Sequence, residues 1–330
     1  MRSPGQVGQG IEDDPGVRWL LTSDDPSIRY LTLTEVLGRS PHERRVRAAA
    51  RSVLQGPKMR ALLAGQGEDG GFGVHPYQKW TGAHWRLVSM VDLAIPKGEP
   101  RAVAGAETVL GWLGRAAESP RHAREVAGRI RRCASQEGNA LGVCSRLGLA
   151  PDERVAGLTD HLMRWQWPDG GWNCDLNPGA RHSSFNETLR TAWGLAEYHA
   201  STGDGRALEA ASRAVELLLR HRLFRSERDG EVIDRSWLLL RYPAYWHYCV
   251  LPALGVVGLL DGLSDPRVDE ALDLLERKRL PDGRWPVEGA YWRRVGGRET
   301  YSEVVDWGQR GPNEMVTLHA LRVLRWAGRA

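Results

Sequence analysis

The feature that most constrains the fold is an internal recurrence of Gln-x-x-Asp-Gly-Gly followed by an aromatic residue. Gln66-Gly-Glu-Asp69-Gly70-Gly71-Phe72 and Gln166-Trp-Pro-Asp169-Gly170-Gly171-Trp172 carry it in full, and Arg279-Leu-Pro-Asp282-Gly283-Arg284-Trp285 carries it with Arg in place of Gln. The aspartates are 100 and 113 residues apart, and a weaker copy, Arg228-Asp229-Gly230, follows 60 residues after Asp169. A unit of about 50–60 residues results, with one degenerate copy near 115–125; such a period marks an architecture whose units bury their apolar faces only against neighbours. Asp-Gly-Gly is turn chemistry. Gly takes left-handed backbone cheaply, and a short Asp side chain bonds the backbone of the turn. These Asp residues are therefore read as turn residues, and the aromatic residue as packing against the next unit.

Each motif lies between two helical patterns. Upstream, Leu158, Leu162 and Trp165, and again Val268, Leu272 and Leu275, recur at spacings of three and four, as expected of outer helices with one apolar stripe. Downstream, the segments 84–94, 139–149, 185–198, 245–260 and 313–326 are apolar on more than one face and read as buried inner helices. With 28–37 at the front there are about six inner helices, the number that closes an α/α barrel. The expected fold is all-α, an α/α toroid over residues 17–330 preceded by a loose, Gly- and Pro-rich tail over 1–16. At 330 residues, 42% of them hydrophobic, the chain can fill one such core.

At these motifs the sequence resembles the terpene cyclase and protein prenyltransferase superfamily, whose squalene-cyclase branch carries Gln-x-x-Asp-Gly-x-Trp repeats. The resemblance implies a toroid around a central apolar cavity lined by inner helices. It stops short of the family's catalytic signatures. The squalene cyclases join two such domains and place their proton donor in Asp-x-Asp-Asp, to which Ser23-Asp24-Asp25 is the nearest string here. The prenyltransferase branch binds zinc through Asp-x-Cys and a distant His, whereas here Cys174 and Asp175 are adjacent.

In such a fold the starts of the inner helices, and the loops before them, are expected to face the cavity mouth. The candidate acids and bases are Asp175, Glu187, Asp306, Glu314 and His247. Asn186-Glu187 and Asn313-Glu314 recur at equivalent places. They read either as caps, with Asn at the helix start and Glu offsetting the first-turn dipole, or as carriers of a general acid raised by a dry cavity. Trp80, His84, Trp85, Asn186, Tyr245, Trp246, Trp292 and Trp307 are the candidate substrate-binding residues, since fourteen Trp against three Phe supplies many π-faces for a carbocation or for packing. Arg181, Arg190, Arg241, Arg293 and Arg294 lie near the same loops and suit a diphosphate or carboxylate. No cofactor is required by the sequence; Cys174, His182 and Cys249 are zinc candidates by ligand type alone.

The leading functional expectation is a terpene-cyclase-like enzyme, an isomerase or lyase, acting on an isoprenoid-type apolar small molecule by acid–base or carbocation chemistry. A carbohydrate-active lyase or hydrolase, which would use an open groove, and a non-catalytic repeat scaffold are the alternatives. A net charge of +4 with scattered Arg argues against nucleic acid as a partner. The longest uncharged apolar run, 249–260, is too short to span a bilayer, so membrane contact is at most peripheral. Four Cys without C-x-x-C spacing and a first segment without an apolar core point to a cytoplasmic protein with reduced thiols. Oligomeric state is not legible.

Overall fold

The computed structural model describes residues 11–119, 122–297 and 299–330; most of the expected tail, residues 1–10, and part of the degenerate copy lie outside them. The fold is all-α. Helices α1 (Pro15–Leu21), α2 (Pro26–Leu31, continued by a π-helical turn Thr32–Val36), α3 (Arg44–Ser52), α4 (Pro57–Leu63), α5 (Ala83–Asp92), α6 (Pro100–Ala117), α7 (Ser135–Leu147), α8 (Glu153–Trp165), α9 (Phe185–Thr202), α10 (Gly205–Arg220), α11 (Val250–Leu259), α12 (Asp269–Arg277) and α13 (Glu314–Trp326) are joined by turns and two small antiparallel ribbons. β1 (Arg124–Val126) pairs with β2 (Arg129–Arg131), and β3 (Pro286–Val287) with β4 (Gly311–Pro312). Asp14, Asp152 and Asp204 cap α1, α8 and α10 by accepting backbone N–H bonds. Those caps satisfy donors that a helix start would otherwise orphan.

The helices divide as the periodicity requires. α8 buries one stripe, Val155, Leu158, Leu162 and Trp165, and α12 buries Ala271, Leu272 and Leu275. α5, α7, α9, α11 and α13 are buried on most sides. These inner helices pack in chain order, α5 on α7, α7 on α9, α9 on α11 and α11 on α13, and α13 then packs on α2 and its π turn. Glycines set the closest crossing, α7 on α9. A Cβ on Gly194 would overlap the carbonyl oxygen of Gly138, and one on Gly142 would enter the ring of Trp193.

The repeated motif acts as a clamp between neighbouring units. The Gln66 Nε2 donates to the Gly70 carbonyl at 2.9 Å and to the Arg101 carbonyl of α6 at 2.8 Å. The Gln166 Nε2 makes the same pair of bonds, to Gly170 and to Ala210 of α10, both 2.8 Å. Arg279 takes this place in the third copy, donating to the Gly283 carbonyl and to Asp14 at the start of α1. The last unit is thereby fastened to the first. Gly70, Gly170 and Gly283 have φ of 78°, 105° and 84°, and the first two lie directly against the backbone of the clamped helix, where no side chain fits. Trp172 and Trp285 donate from their indole N–H to Leu162 and Leu275, carbonyls of the preceding outer helices.

Three expectations are corrected. The fourth copy, Arg228-Asp229-Gly230, clamps no neighbouring helix: Asp229 accepts from Glu231 N and from the adjacent Arg228 side chain, and Gly230 faces open space in a turn closed by the Arg225–Val232 bridge. The inner helix expected from 245 starts at Val250, because Tyr245 takes a φ of 51° that no helix accommodates. Residues 15 and 16, assigned to the tail, already belong to α1. No helix among the described residues is long and apolar enough to cross a membrane.

Candidate functional site

The inner helices leave a cavity of about 110 Å³ between them, to which α5, α7, α9, α11 and α13 all contribute together with the loop 241–245. Its position along those helices differs from expectation. α5 gives Val88, Ser89 and Asp92 and α7 gives Arg146, from their C-terminal halves, and α13 gives His319 and Arg322 from its middle turns. The space continues past Arg146, Leu259 and Arg322 into a wider depression bounded by Glu35, Arg325 and Trp326. The mouth therefore lies at the C-terminal ends of the inner helices.

The N-terminal ends are closed by aromatic packing. Trp80 stacks on Tyr245 at 3.7 Å and meets Trp85 edge-on at 4.9 Å, and Trp80 and Trp85 donate their indole N–H groups to the carbonyls of Tyr291 and Tyr77. His247 is sandwiched by Tyr291 at 3.5 Å and Trp246 at 4.0 Å, and burial lowers its pKa to about 4. His84 is buried against Trp85 and Trp112, and burial lowers it to about 3. Trp292 donates to the Tyr242 carbonyl and Trp307 packs edge-on against the Tyr242 ring. Of the substrate-binding candidates Tyr245 alone lines the cavity, joined by Arg190 and Arg241 from the arginines.

The remaining sequence candidates sit elsewhere. Asp175 and Asp306 are exposed turn residues, each accepting from a backbone N–H two positions on. Glu314 pairs with Lys58 at 3.0 Å, and Asn313 caps α13 through Val316 N. Asn186 is not a cap: Ser184 fills that role for α9, and the Asn186 carbonyl accepts from Tyr248 N at 2.7 Å. Glu187 is buried, accepts from Ser135 N at 2.8 Å, and is raised by that burial. His182 is exposed and Cys249 is buried apart from Cys174, which instead meets Cys133 and Glu187.

The cavity has its own electrostatic order, built, Arg241 apart, from residues the sequence reading passed over. Asp92 accepts from the Tyr242 hydroxyl at 2.7 Å and faces the His319 Nε2 at 3.3 Å. The Arg322 Nη2 is 2.8 Å from the His319 Nδ1. A guanidinium only donates, so Nδ1 is the acceptor and Nε2 carries the proton toward Asp92. Burial alone would raise Asp92, but His319, Arg322 and Tyr242 outweigh it and hold the carboxyl well below its usual range. Glu197 is engaged by Arg146 at 3.0 Å and by the Trp193 indole at 3.1 Å. Arg241 donates to the Tyr291 hydroxyl at 2.7 Å.

Arg190 differs from its neighbours. It lines the cavity, its Nε is buried without a partner, and it makes no hydrogen bond or ion pair among the described residues. Burial lowers its pKa. Four guanidinium groups, Arg146, Arg190, Arg241 and Arg322, face two carboxylates, Asp92 and Glu197, across a wall otherwise formed by Val88, Leu251, Val256, Leu259 and aromatic rings. Such a space suits a molecule with one anionic group and an apolar body.

No protein-family model matches the chain, and no curated protein matches it significantly. Among solved structures, a crystal structure of a protein from Actinoplanes is similar at 20% identity and a TM-score of 0.43, over 95% of this chain and 98% of that one. The type II terpene cyclase MstE from Scytonema, solved without ligand, is similar at 13% identity and a TM-score of 0.28, over 83% of this chain and 96% of that one.

Proposed function

We propose that the chain is a terpene-cyclase-like lyase or isomerase built on an α/α toroid, binding a small isoprenoid-type molecule with an anionic group in the cavity between the inner helices. The observation that carries this reading is Arg190, a half-buried cation without a protein partner in a largely apolar space between the helices. Its buried Nε has no acceptor, which is costly, and an anionic ligand would supply the missing partner. Arg190 and Arg241 would hold the anionic group, and Tyr245 and Trp193 would present π-faces to positive charge developing on the hydrocarbon.

The protonation route of the expected chemistry finds little support here. Asp92 is held ionised and Glu197 is occupied by Arg146 and Trp193, so neither carboxylate is a ready proton donor. Departure of an anion, with its charge taken up by guanidinium groups already in place, suits the site better. The enclosed shape and the cavity of about 110 Å³ favour a short chain over a squalene-sized one, and do not favour the open groove of a polysaccharide enzyme.

The test is calorimetric titration and product analysis with dimethylallyl diphosphate, geranyl diphosphate and squalene. Binding of a short prenyl diphosphate, weakened in Arg190→Met, is the expected outcome. If neither diphosphate binds or reacts, the reading fails.

A further inference from the structure

We propose that Cys133, Cys174 and Glu187 form a binding site for a zinc-class divalent ion, with a fourth coordination position open on the half-exposed side of the two thiols. One ligand atom from each of the three residues lies within 4.8 Å of the others. The Cys174 Sγ is 3.6 Å from the Glu187 Oε1. An ion held at about 2.3 Å from sulfur and about 2.1 Å from a carboxylate oxygen, in tetrahedral geometry, would separate those two atoms by about 3.6 Å. The present spacing is the edge of such a tetrahedron.

The surroundings hold the three residues in place independently of any ion. Ser184 caps α9 and sets Glu187 in its first turn, while the Ser135 N–H fixes the Glu187 Oε2 and leaves Oε1 facing the sulfur atoms. Orientation of a ligand by its non-ligating atom is the usual support of a metal site. Cys133 lies in the link before α7, where the Arg132 N–H donates to the Asn173 carbonyl and ties that link to the strand of chain bearing Cys174. The nearby cation, Arg132, is turned to Glu137, with its Nε 2.9 Å from Oε1. Glu187 is buried and both thiols are half-buried, which gives the ion a route in. None of the three residues lines the central cavity, so this site is separate from the proposed substrate space.

Reduced, purified protein titrated with cobalt(II) and with zinc tests this. One ion per chain, a thiolate-to-cobalt charge-transfer band and a zinc-dependent rise in melting temperature are expected. Cys133→Ser, Cys174→Ser and Glu187→Gln should each weaken zinc binding tenfold or more, by about the loss that removing a supporting ligand brings. Cys249→Ser should leave it unchanged. Reduced wild-type protein that takes up no ion, a cobalt spectrum without the charge-transfer band, or cysteine variants that bind as wild type would overturn the proposal. Should a cysteine variant fail to fold, the wild-type cobalt spectrum and Glu187→Gln decide it.

Discussion

Arg190 is the most informative residue to change, because a ligand-binding role and a structural role predict opposite signs of stability. Its Nε is buried with no acceptor, and Asp92, the nearest acid to influence it, is already bonded to Tyr242 and His319. An unsatisfied buried donor costs about 1–3 kcal/mol, and more when charged. Met keeps most of the aliphatic stem and removes the charge. Arg190→Met should therefore stabilise the empty protein by about 1–3 kcal/mol, the usual sign for a residue kept for activity at the expense of stability. Unfolding entropy of about 2.1 cal/mol/K per residue over 330 residues converts each kcal/mol into about 1.4 °C, so the melting temperature should rise by roughly 1–4 °C. The assay is thermal and urea unfolding of both proteins, with and without geranyl diphosphate. Wild type should gain stability from the ligand, and the variant should gain little. A variant more than about 1 kcal/mol less stable than wild type would refute the reasoning, since Arg190 would then be a structural cation.

Other substitutions follow from the same geometry. Asp92→Asn should cost about 1–3 kcal/mol at neutral pH, because it breaks a half-buried network with Tyr242 and His319. The folded pKa of Asp92 lies below its unfolded value, so its contribution is present above the ordinary carboxylate range and is lost as pH falls through the folded value; the variant's acid limb should be flatter in melts across that range. His84 must stay neutral when folded. With its pKa lowered to about 3 against an ordinary value near 6.5, stability should fall by about 1.4 kcal/mol per pH unit between those values, and His84→Phe should remove that slope. Gly194→Ala should destabilise by about 1–3 kcal/mol through overpacking against Gly138, read as a lower urea midpoint at unchanged slope. Gln166→Leu should cost about 1–3 kcal/mol by stranding the Gly170 and Ala210 carbonyls, whereas a substitution at Asp229 should be near neutral by the same unfolding measurement.

The frame of this fold was legible because it is local. The Asp-Gly-Gly turns, the single apolar stripes of α8 and α12 and the broad burial of α9 and α13 each follow from nearest-neighbour chemistry, whereas the clamp that Gln66 and Gln166 form reaches carbonyls 35 and 44 residues away and was not read from the motif. The site was not legible in the same way. Asp92, Tyr242, His319 and Arg322 are separated by up to 230 residues and meet only after the helices have closed on one another. A weaker signal was nevertheless present. His319 and Arg322 lie three apart in the largely apolar stretch 318–324 of α13, and Arg190 and Glu197 lie seven apart on α9. A charge on the buried face of a helix has to be matched by something, and that requirement points inward more reliably than a polar residue at a helix start, which usually serves the helix end.

Most of the charged groups of the cavity come from beyond the first turns of the inner helices, for a related reason. In this chain the loops before those starts and their first turns carry Trp80, Trp85, Tyr245 and His247, which with Tyr291 pack on one another and fill that end. Bulky rings at close stacking distance leave no room for a ligand and exclude water. The same packing closes the floor of the cavity, since Tyr245 presents one face to Trp80 and also lines the ligand space. Trp80, Trp85 and Trp246 are thus spent on packing at that end, while Trp165, Trp172 and Trp285 pack against the outer helices. The charged side chains lie toward the other end, where Arg146 and Arg322 stand between the cavity and its mouth.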